Sequence, residues 1–339
     1  MGVYTKRFTV STCHVELLFF AFKARLLWFS LKYEIVARAN LEFFPGVTVV
    51  NLLLYTATVL IWGTTWYVIK LQLGSVPESW SVSYRFFIAA TLLIIWLGAR
   101  GRLTDLPTGR NLLFVCLQGI MLFCLNYWLF YIVSNDLTTG LVAVLFSLIT
   151  IMNIVNQRLF FKLPVNSRAL MASLIGIVGL VLVFFPEFSK VQANERLVVA
   201  VLLGILATWF ASVGNILSVR NSRAGLPVMR TNMVGMLTGA ICMALIAMAS
   251  GEPASIELNP RYLGALLYLA VIGSVVAFGC YLTLINRIGA DKGAYAGVAF
   301  PIVALLISTW LEDYRWSVPA VIGVVLIVMG NVLVLSKPR

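Results

Sequence analysis

The chain has 339 residues, of which 61% are apolar and only 11% are charged, and its formal net charge is +12. A soluble domain carries about 25% charged residues, so this composition excludes a water-soluble globular protein and indicates an integral membrane protein. The basic residues are scattered in twos and threes between apolar runs instead of forming one basic face, so nucleic acid is excluded as the reason for the positive charge.

The first 48 residues lack the regular pattern of the rest of the chain. The apolar run from Val15 to Leu31 is interrupted by Lys23 and Arg25, which makes it too short and too charged to span a bilayer. Two interpretations remain open: a basic amphipathic segment that lies in the membrane interface, and a nonessential extension outside the native core. Residues 1–48 are therefore predicted to be a cytoplasmic or interfacial extension.

From residue 49 onwards the chain consists of apolar stretches joined by short connections that often contain Gly or Pro. A bilayer core of about 30 Å needs around 20 apolar residues in a helix. The predicted transmembrane helices are 50–70, 79–98, 111–132, 137–157, 168–186, 197–219, 230–250, 261–284, 292–311 and 317–336. The predicted fold class is all-α integral membrane, with ten transmembrane helices and no soluble domain after residue 49.

Charge on the connections predicts how these helices are oriented. Thirteen basic residues lie on alternate connections and on the C-terminal tail, whereas four lie on the remaining connections together with most of the acids. Cytoplasmic loops of membrane proteins are enriched in Lys and Arg. Both termini are therefore predicted to be cytoplasmic, in a multi-pass protein of a bacterial inner membrane.

The second half of the chain repeats the pattern of the first half. In the opening span of each half Trp62 aligns with Trp209, and near the end of each half Gly179 aligns with Gly330. Such matches occur in order along the chain, which indicates a duplicated five-helix unit. An odd number of crossings per unit inverts the second copy relative to the first. The predicted boundaries are 49–187 for the first repeat and 196–336 for the second.

Several motif residues follow one another along these predicted helices. They are Trp62-Gly63, Trp66, Arg85-Phe86, Gly293, Pro301, Glu312, Gly323 and Gly330. On these motifs, residues 50–336 resemble the EamA-type transporters of the drug/metabolite transporter superfamily. The resemblance implies two inverted five-helix repeats around a central cavity, with no assignment of a substrate. The chain departs from symmetry where Phe161 and Lys162 correspond to Glu312, and where Ser147 and Leu148 stand opposite Pro301.

Arg85 is the one ionisable residue placed clearly within a predicted span, about 10 Å along the helix from the outer loop. A charge at the bilayer centre costs at least about 2.5–3.5 kcal/mol, so such residues are candidates for function. One interpretation is a side chain that snorkels to the membrane interface. The other is a cavity or gate residue that attracts an anionic group, such as a substrate carboxylate.

Aromatic and amide side chains inside the spans complete the candidate substrate cavity. The predicted cavity residues are Trp62, Trp66, Arg85, Asn126, Tyr127, Ser147, Trp209, Asn215, Tyr281 and Tyr295. Ring faces suit the apolar parts of a small amphipathic molecule, and amides suit its polar groups. Trp62 and Trp209 are the leading candidates because they occupy equivalent positions. The alternative for Trp128 and Tyr131 is an interfacial belt, and for the asparagines a hydrogen bond to a neighbouring helix.

Small residues and one proline predict where helices touch or bend. Gly235-xxx-Gly239 and Gly293-xxx-Gly297 predict close helix contacts. Pro301 lies in the middle of the ninth span, where it removes a helical hydrogen bond and frees a carbonyl. Pro301 and Gly293 are therefore predicted to form a hinge or gate.

Acidic residues are confined to the ends of the spans. Proton coupling usually needs a membrane carboxylate or histidine, which favours facilitated diffusion or exchange over proton antiport, with Glu312 as the exception. The alternative for Glu312 is a loop anion beside Arg315.

The five cysteines and the single histidine, His14, form no disulfide or metal-binding pattern, so no metal site and no cofactor are predicted.

The favoured function is a secondary transporter of small organic metabolites, such as amino acids or related amphipathic compounds. It is expected to work by alternating access around a central cavity, with export as the expected direction. A non-transporting membrane scaffold or sensor remains the alternative. A membrane enzyme is disfavoured because no cluster of Asp, Glu or His lies at depth. The expected partners are a small-molecule substrate and the lipid bilayer, with no nucleic acid, and the protein is expected to be a monomer or homodimer.

Overall fold

A computed structural model of the chain describes residues 42–44, 47–74, 76–104, 106–162, 167–190, 195–288 and 296–335. Ten helices lie in these described ranges: α1 Val49–Lys70, α2 Glu78–Ala99, α3 Gly109–Asp136, α4 Thr139–Phe161, α5 Ser167–Lys190, α6 Glu195–Arg223, α7 Val228–Ala249, α8 260–288, α9 Ala296–Leu311 and α10 Val318–Leu335. Each predicted span overlaps one of these helices.

Seven of the described helices are long and apolar enough to cross a membrane. Shorter apolar stretches lie in the other three, at Leu174–Pro186 in α5, Ala299–Leu311 in α9 and Val318–Leu333 in α10. In a bilayer the backbone finds no water to bond, so a spanning segment must satisfy its own N–H and C=O groups as a helix. The protein is therefore a helical, multi-pass membrane protein.

Two compact units divide the chain, Met1–Leu54 and Tyr55–Arg339. The described part of the first unit holds a pair of antiparallel strands, β1 (Glu42–Phe44) and β2 (Val47–Thr48), before α1 begins. This short strand pair is built largely from the aromatic and β-branched residues that favour strands, and it lies in the predicted N-terminal extension, while the regular elements after it in the described residues are all helical. The predicted interfacial run between residues 15 and 31 lies outside the described residues.

Local signals in the sequence set the ends of several helices. Asn259 precedes α8 and its side-chain Oδ1 accepts hydrogen bonds from the backbone N–H groups of Arg261 at 2.6 Å and Tyr262 at 3.4 Å. These two bonds satisfy donors that the first turn of a helix otherwise leaves free. Gly225 and Gly251, which follow α6 and α7, have φ angles of 79° and 72°, a left-handed conformation that glycine adopts without steric cost.

Stretches of α3, α4 and α8 depart from α-helical conformation. Ile120–Leu125 in α3 and Tyr268–Val276 in α8 are π-helical. In α4 the helix is interrupted at Ser147 and Leu148, where the N–H of Leu148 donates to the carbonyl of Leu145, three residues back, at 3.2 Å. This interruption lies opposite Pro301 in the sequence repeat, so α4 is irregular at that position without a proline.

The helices of the second unit pack in pairs across the centre. The most extensive contacts join α5 to α10 and α2 to α7, and α3 packs on both α6 and α7. The α3–α7 seam depends on small residues, because a Cβ on Gly119 would overlap the carbonyl oxygen of Gly235, and one on Gly239 would lie 2.9 Å from Phe123 Cβ. The predicted close contact at Gly235 and Gly239 is confirmed.

Substituting Gly119 by Ala tests the α3–α7 seam. The added methyl group has backbone on its far side and cannot be relieved by a side-chain rotation, so we expect Gly119→Ala to lower the free energy of unfolding by about 1–3 kcal/mol. Gly264→Ala is the matched control, since nothing lies within 4 Å of the Cβ that it would add. Thermal unfolding in detergent measures the stability of both variants. Equal unfolding midpoints for Gly119→Ala and Gly264→Ala would contradict the predicted seam.

Candidate substrate cavity

A cavity of about 350 Å³ lies among six of the helices in the second unit. Its walls come from α1, α3, α4, α6, α8 and α9, so residues from both predicted halves contribute. The lining residues are Trp62, Thr65, Trp66, Ile69, Leu122, Asn126, Tyr127, Phe146, Ile149, Thr150, Asn153, Ile154, Gln157, Asn215, Phe278, Tyr281, Gly297 and Phe300. None of these described lining residues carries a charge, and most of the wall is apolar.

Aromatic rings form much of the wall. Trp62 on α1 contacts Phe278 and Tyr281 on α8, with ring centroids 5.6 Å and 5.0 Å apart. One turn further along α1, Trp66 contacts Phe146 on α4 at 5.5 Å. These edge-on and tilted contacts orient each ring and hold it in place. The cavity therefore presents fixed aromatic surfaces from both halves of the chain.

Polar groups enter the cavity mainly as neutral amides and hydroxyls. The amide nitrogen of Asn126 on α3 donates to the carbonyl of Ala207 on α6 at 2.9 Å, and Asn153 Oδ1 on α4 accepts from Ser212 on α6 at 2.8 Å. These bonds fix the two amides while each also lines the cavity. Both interpretations offered for Asn126, helix contact and cavity lining, therefore apply together.

Six of the predicted cavity residues line this cavity: Trp62, Trp66, Asn126, Tyr127, Asn215 and Tyr281. Tyr295 and Gly293 lie outside the described residues.

Pro301 lies inside α9 beside the lining residue Phe300, and its missing N–H leaves the carbonyl of Gly297 without its usual helical donor. The packing prediction for Gly297 is wrong, because nothing lies within 4 Å of the Cβ position and the residue lines the cavity instead.

Trp209 and Ser147 do not line the cavity, and both predictions are corrected. Trp209 is 42% exposed on the outer side of α6. A helix turns about 100° per residue, so a residue six positions before Asn215 lies on a different face. Ser147 is buried at the interruption of α4, donates to the carbonyl of Val144 at 2.6 Å, and faces a crevice against α5 and α10 that includes Gly176.

Arg85 does not snorkel to the interface and is not among the lining residues. Its side chain is fully buried, with the guanidinium 4.5 Å from the ring centroid of Tyr127 and its Nε donating to Ser274 Oγ at 3.3 Å. The interfacial-belt interpretation is also wrong for Tyr131, which is fully buried and donates to Gln72 Oε1 at 2.7 Å.

The polar side of α4 was not predicted from the sequence. Thr150, Asn153 and Gln157 all line the cavity, spaced three and four residues apart as neighbours on one helix face require. That spacing is visible in the sequence, in the second half of a span that is otherwise mostly apolar. The predicted cavity included two of the lining amides, Asn126 and Asn215, and missed the two on α4.

Glu312 joins three helix ends near the cavity. Its Oε1 lies 2.8 Å from Lys70 Nζ at the end of α1, and its Oε2 accepts from the backbone N–H of Thr139 at the start of α4 at 2.8 Å. The carboxylate therefore faces the positive end of the α4 dipole and a cation together. The alternative interpretation of Glu312 as a loop anion beside Arg315 did not include this pairing with Lys70, which lies far from Glu312 in the sequence.

The surroundings of Glu312 determine its ionisation. Partial burial raises the pKa of Glu312, but the hydrogen bonds from Lys70 and Thr139, together with the Lys70 charge, outweigh burial and hold the pKa below its ordinary value. Both partners stabilise the charged form. The carboxylate is therefore ionised at neutral pH and stabilises the junction of α1, α4 and α9.

Comparisons with known proteins agree with this architecture. The profile of the EamA-like transporter family matches residues 50–185 and again residues 198–336. An uncharacterized inner membrane transporter of Escherichia coli K12, YedA, is 27% identical over 293 residues, which cover 83% of this chain and 92% of that protein. Protein PagO of Salmonella typhimurium is 23% identical over 301 residues, which cover 85% and 96%.

A solved crystal structure has the same fold. It matches with a TM-score of 0.62 and 18% sequence identity, over 84% of this chain and 96% of its own. At that identity the likeness extends to the fold and no further.

Replacing Glu312 by Gln tests the junction of helix ends. Loss of the carboxylate leaves Lys70 without its partner, so we expect a decrease of about 1–3 kcal/mol in the free energy of unfolding at pH 7. A lowered folded-state pKa means that the stabilisation is present above the ordinary pKa of glutamate, about 4.3, and is lost as the pH falls through the lower folded value. The difference in the free energy of unfolding between wild type and Glu312→Gln should therefore disappear in acid.

Thermal unfolding of both proteins between pH 3 and pH 8 provides the measurement. Asp136→Asn, at the exposed end of α3, is the control for a general loss of negative charge. A gap between wild type and Glu312→Gln that stays constant across this pH range would contradict the role assigned to the carboxylate.

Proposed function

Because the chain belongs to the EamA-like transporter family, we propose that it transports small amphipathic organic metabolites, such as amino acids or related compounds, across a bacterial inner membrane. The observation that carries this proposal is the uncharged cavity of about 350 Å³ that both halves of the chain line. Cavities that bind small organic molecules are mostly apolar with a few fixed polar groups. The rings and amides of this cavity match that description.

The proposed scaffold is ten transmembrane helices in two inverted repeats, 49–187 and 196–336, with both termini cytoplasmic. The two matches of the family profile support the duplication. The helix contacts support it too, because α2 packs on α7 and α5 on α10, which are equivalent helices of the two repeats. A two-fold axis between the repeats brings equivalent helices together at the centre.

Alternating access needs one side of the cavity to close while the other opens. The predicted topology puts the Lys70–Glu312 pair and the first residue of α4 at the outer surface, where they support an outer closure. Asn215, Tyr281 and Gly297 line the cavity from the parts of α6, α8 and α9 that are nearest the predicted cytoplasmic connections. This arrangement favours loading from the cytoplasm, and hence export.

Facilitated diffusion or exchange is favoured over proton antiport. No lining residue in the described part of the chain is an acid or a histidine, and proton relays in membranes usually use those groups. Glu312 is already paired with Lys70 and held in its charged form, which makes it a poor proton carrier for a neutral-pH cycle.

Counterflow into proteoliposomes tests the proposed function. Vesicles that contain the full chain are loaded with a pooled panel of unlabelled amino acids and small aromatic amides, and uptake of each labelled compound is followed. We expect transient accumulation of at least one amphipathic compound above protein-free vesicles. Silence across the panel, with protein that still unfolds cooperatively, would favour a membrane scaffold or sensor.

Trp62 and Trp209 form a matched pair for a test of the cavity wall. Trp62→Ala removes a ring that contacts Phe278 and Tyr281, so we expect the counterflow rate to fall by about tenfold, the factor that corresponds to about 1.4 kcal/mol. Trp209→Ala removes an equally large ring from the outer side of α6 and should leave the rate within about twofold of wild type. Equal effects of the two changes would contradict the proposed wall.

A further inference from the structure

Arg85 is a fully buried cation without a carboxylate partner among the described residues. Its Nε donates to Ser274 Oγ, while neither terminal nitrogen, Nη1 nor Nη2, makes a hydrogen bond within that part of the chain. An arginine side chain stays protonated in proteins. The hydroxyl of Tyr131 also interacts with the guanidinium, but its own hydrogen goes to Gln72, and Nη1 and Nη2 keep donors that the described residues do not satisfy.

A buried guanidinium with unpaired hydrogen-bond donors is energetically unfavourable unless an anion binds to it. A buried charge that lacks a partner is strongly destabilising, and cation–π contacts recover only part of the cost. Arg85 has two such contacts, at 4.5 Å from the ring centroid of Tyr127 and 5.2 Å from that of Phe86. Ring faces leave the in-plane N–H groups free, and those groups match the two oxygens of a carboxylate.

The guanidinium lies directly behind the cavity wall. Tyr127, whose ring it contacts, lines the cavity, and so does Thr65. The position of a Cβ built on Gly273 would be 3.2 Å from Thr65 Oγ1 and 3.6 Å from Arg85 Nη2. The lining residue Thr65 and the free end of Arg85 therefore lie within 4 Å of one point beside Gly273, which a larger side chain at that position would crowd.

The π-helical segment of α8 holds Arg85 in this orientation. Ser274 Oγ accepts from Arg85 Nε and donates to the carbonyl of Leu269 at 2.9 Å, five residues earlier, which is the carbonyl spacing of a π-helix. Single-turn π segments are rare and frequently mark functional sites. Here the segment places a serine against Nε, and Nη1 and Nη2 are left without hydrogen bonds among the described residues.

We propose that Arg85 is the anion subsite of the transported molecule, which is a small organic carboxylate with an apolar or aromatic body. The proposal rests on the proposed function and specifies its substrate class. The body occupies the aromatic cavity, and the carboxylate passes between Tyr127 and Thr65 to accept two hydrogen bonds from Nη1 and Nη2. A rotation of the Tyr127 ring connects the cavity to Arg85, so the bound anion replaces the ring as the partner of the cation.

Matched acids and amides test the subsite by binding alone. Purified full-length protein is titrated with phenylacetate and phenylacetamide, indole-3-acetate and indole-3-acetamide, and 4-methylvalerate with its amide, and thermal stabilisation gives each affinity. In each pair the body is the same, and a neutral amide that also donates hydrogen bonds replaces the carboxylate. We expect at least one acid to bind about tenfold or more tightly than its amide, a difference of about 1.4 kcal/mol. If no acid is preferred over its amide, the proposal is overturned.

Three variants assign that preference to Arg85. Arg85→Gln should abolish the preference for the acid over its amide, while binding of the amide persists. Arg85→Lys should keep part of this preference, because the positive charge remains and the bidentate geometry of the guanidinium is lost. Arg102→Gln, on an exposed loop, is the matched control and should keep the full preference. If Arg85→Gln does not fold, Arg85→Lys and Ser274→Ala still test the subsite, because both keep the positive charge at residue 85. The proposal requires each of them to reduce the preference for the acid. An unchanged preference in Arg85→Lys would overturn the proposal.

Two further measurements distinguish a substrate subsite from a structural chloride site and separate binding from transport. Thermal stability of the protein is compared in sodium chloride and in sodium gluconate. If chloride stabilises the protein and no acid is preferred over its amide, Arg85 is a structural anion site and the proposal is overturned. Counterflow with the preferred acid then tests transport separately. Acid-selective binding without flux would contradict the proposed function and leave the anion subsite standing, so failure of one is distinguishable from failure of the other.

Discussion

The absence of water from a bilayer core is the constraint on which the rest of this structure depends. Every spanning segment must satisfy its own backbone, which makes regular helices the default, and any departure exposes polar groups that need another partner. The departures in this protein surround one cavity. Leu122 lies in the π-helical segment of α3, Phe146 and Ile149 flank the interruption of α4, and Phe300 precedes Pro301. Irregular backbone is thus gathered where a cavity can accommodate it.

Close glycine contacts and an open cavity lie side by side in this structure. Glycine contacts bring α3 against α7 and α5 against α10, and the carbonyl of Gly323 would lie 2.6 Å from a Cβ on Gly179. The helices that line the cavity also meet at glycines, since a Cβ on Gly214 of α6 would lie 2.8 Å from Leu122 Cβ of α3, and large rings line the space that remains between them. Close glycine seams beside a ring-lined cavity suit two bundles that move relative to each other around a binding site. The charged groups near that site, Arg85 and the Lys70–Glu312 pair, are held in place by partners on other helices.

Much of the fold was predictable because the bilayer imposes it on each segment separately. The apolar lengths located the helices, and family motifs such as Arg85-Phe86 indicated the family correctly. The site was predictable in part: Trp62 and Trp66 point to one side because they are a turn apart, and both line the cavity. Trp209 was assigned by analogy with Trp62, and the analogy failed because equivalent positions in two repeats need not turn the same face to the centre.

The amino-acid sequence by itself determined that this is a helical membrane protein, where its helices lie, and which family it belongs to. These properties follow from hydrophobic length and local motifs, which each segment carries on its own. Only the tertiary structure decided which side chains meet. It separated Trp209 and Ser147 from the cavity, brought Glu312 to Lys70 and Thr139 instead of Arg315, and buried Arg85 behind Tyr127 without a counter-ion among the described residues. Such contacts join residues far apart in the chain, so they depend on how helices rotate and pack against each other, which no single segment encodes.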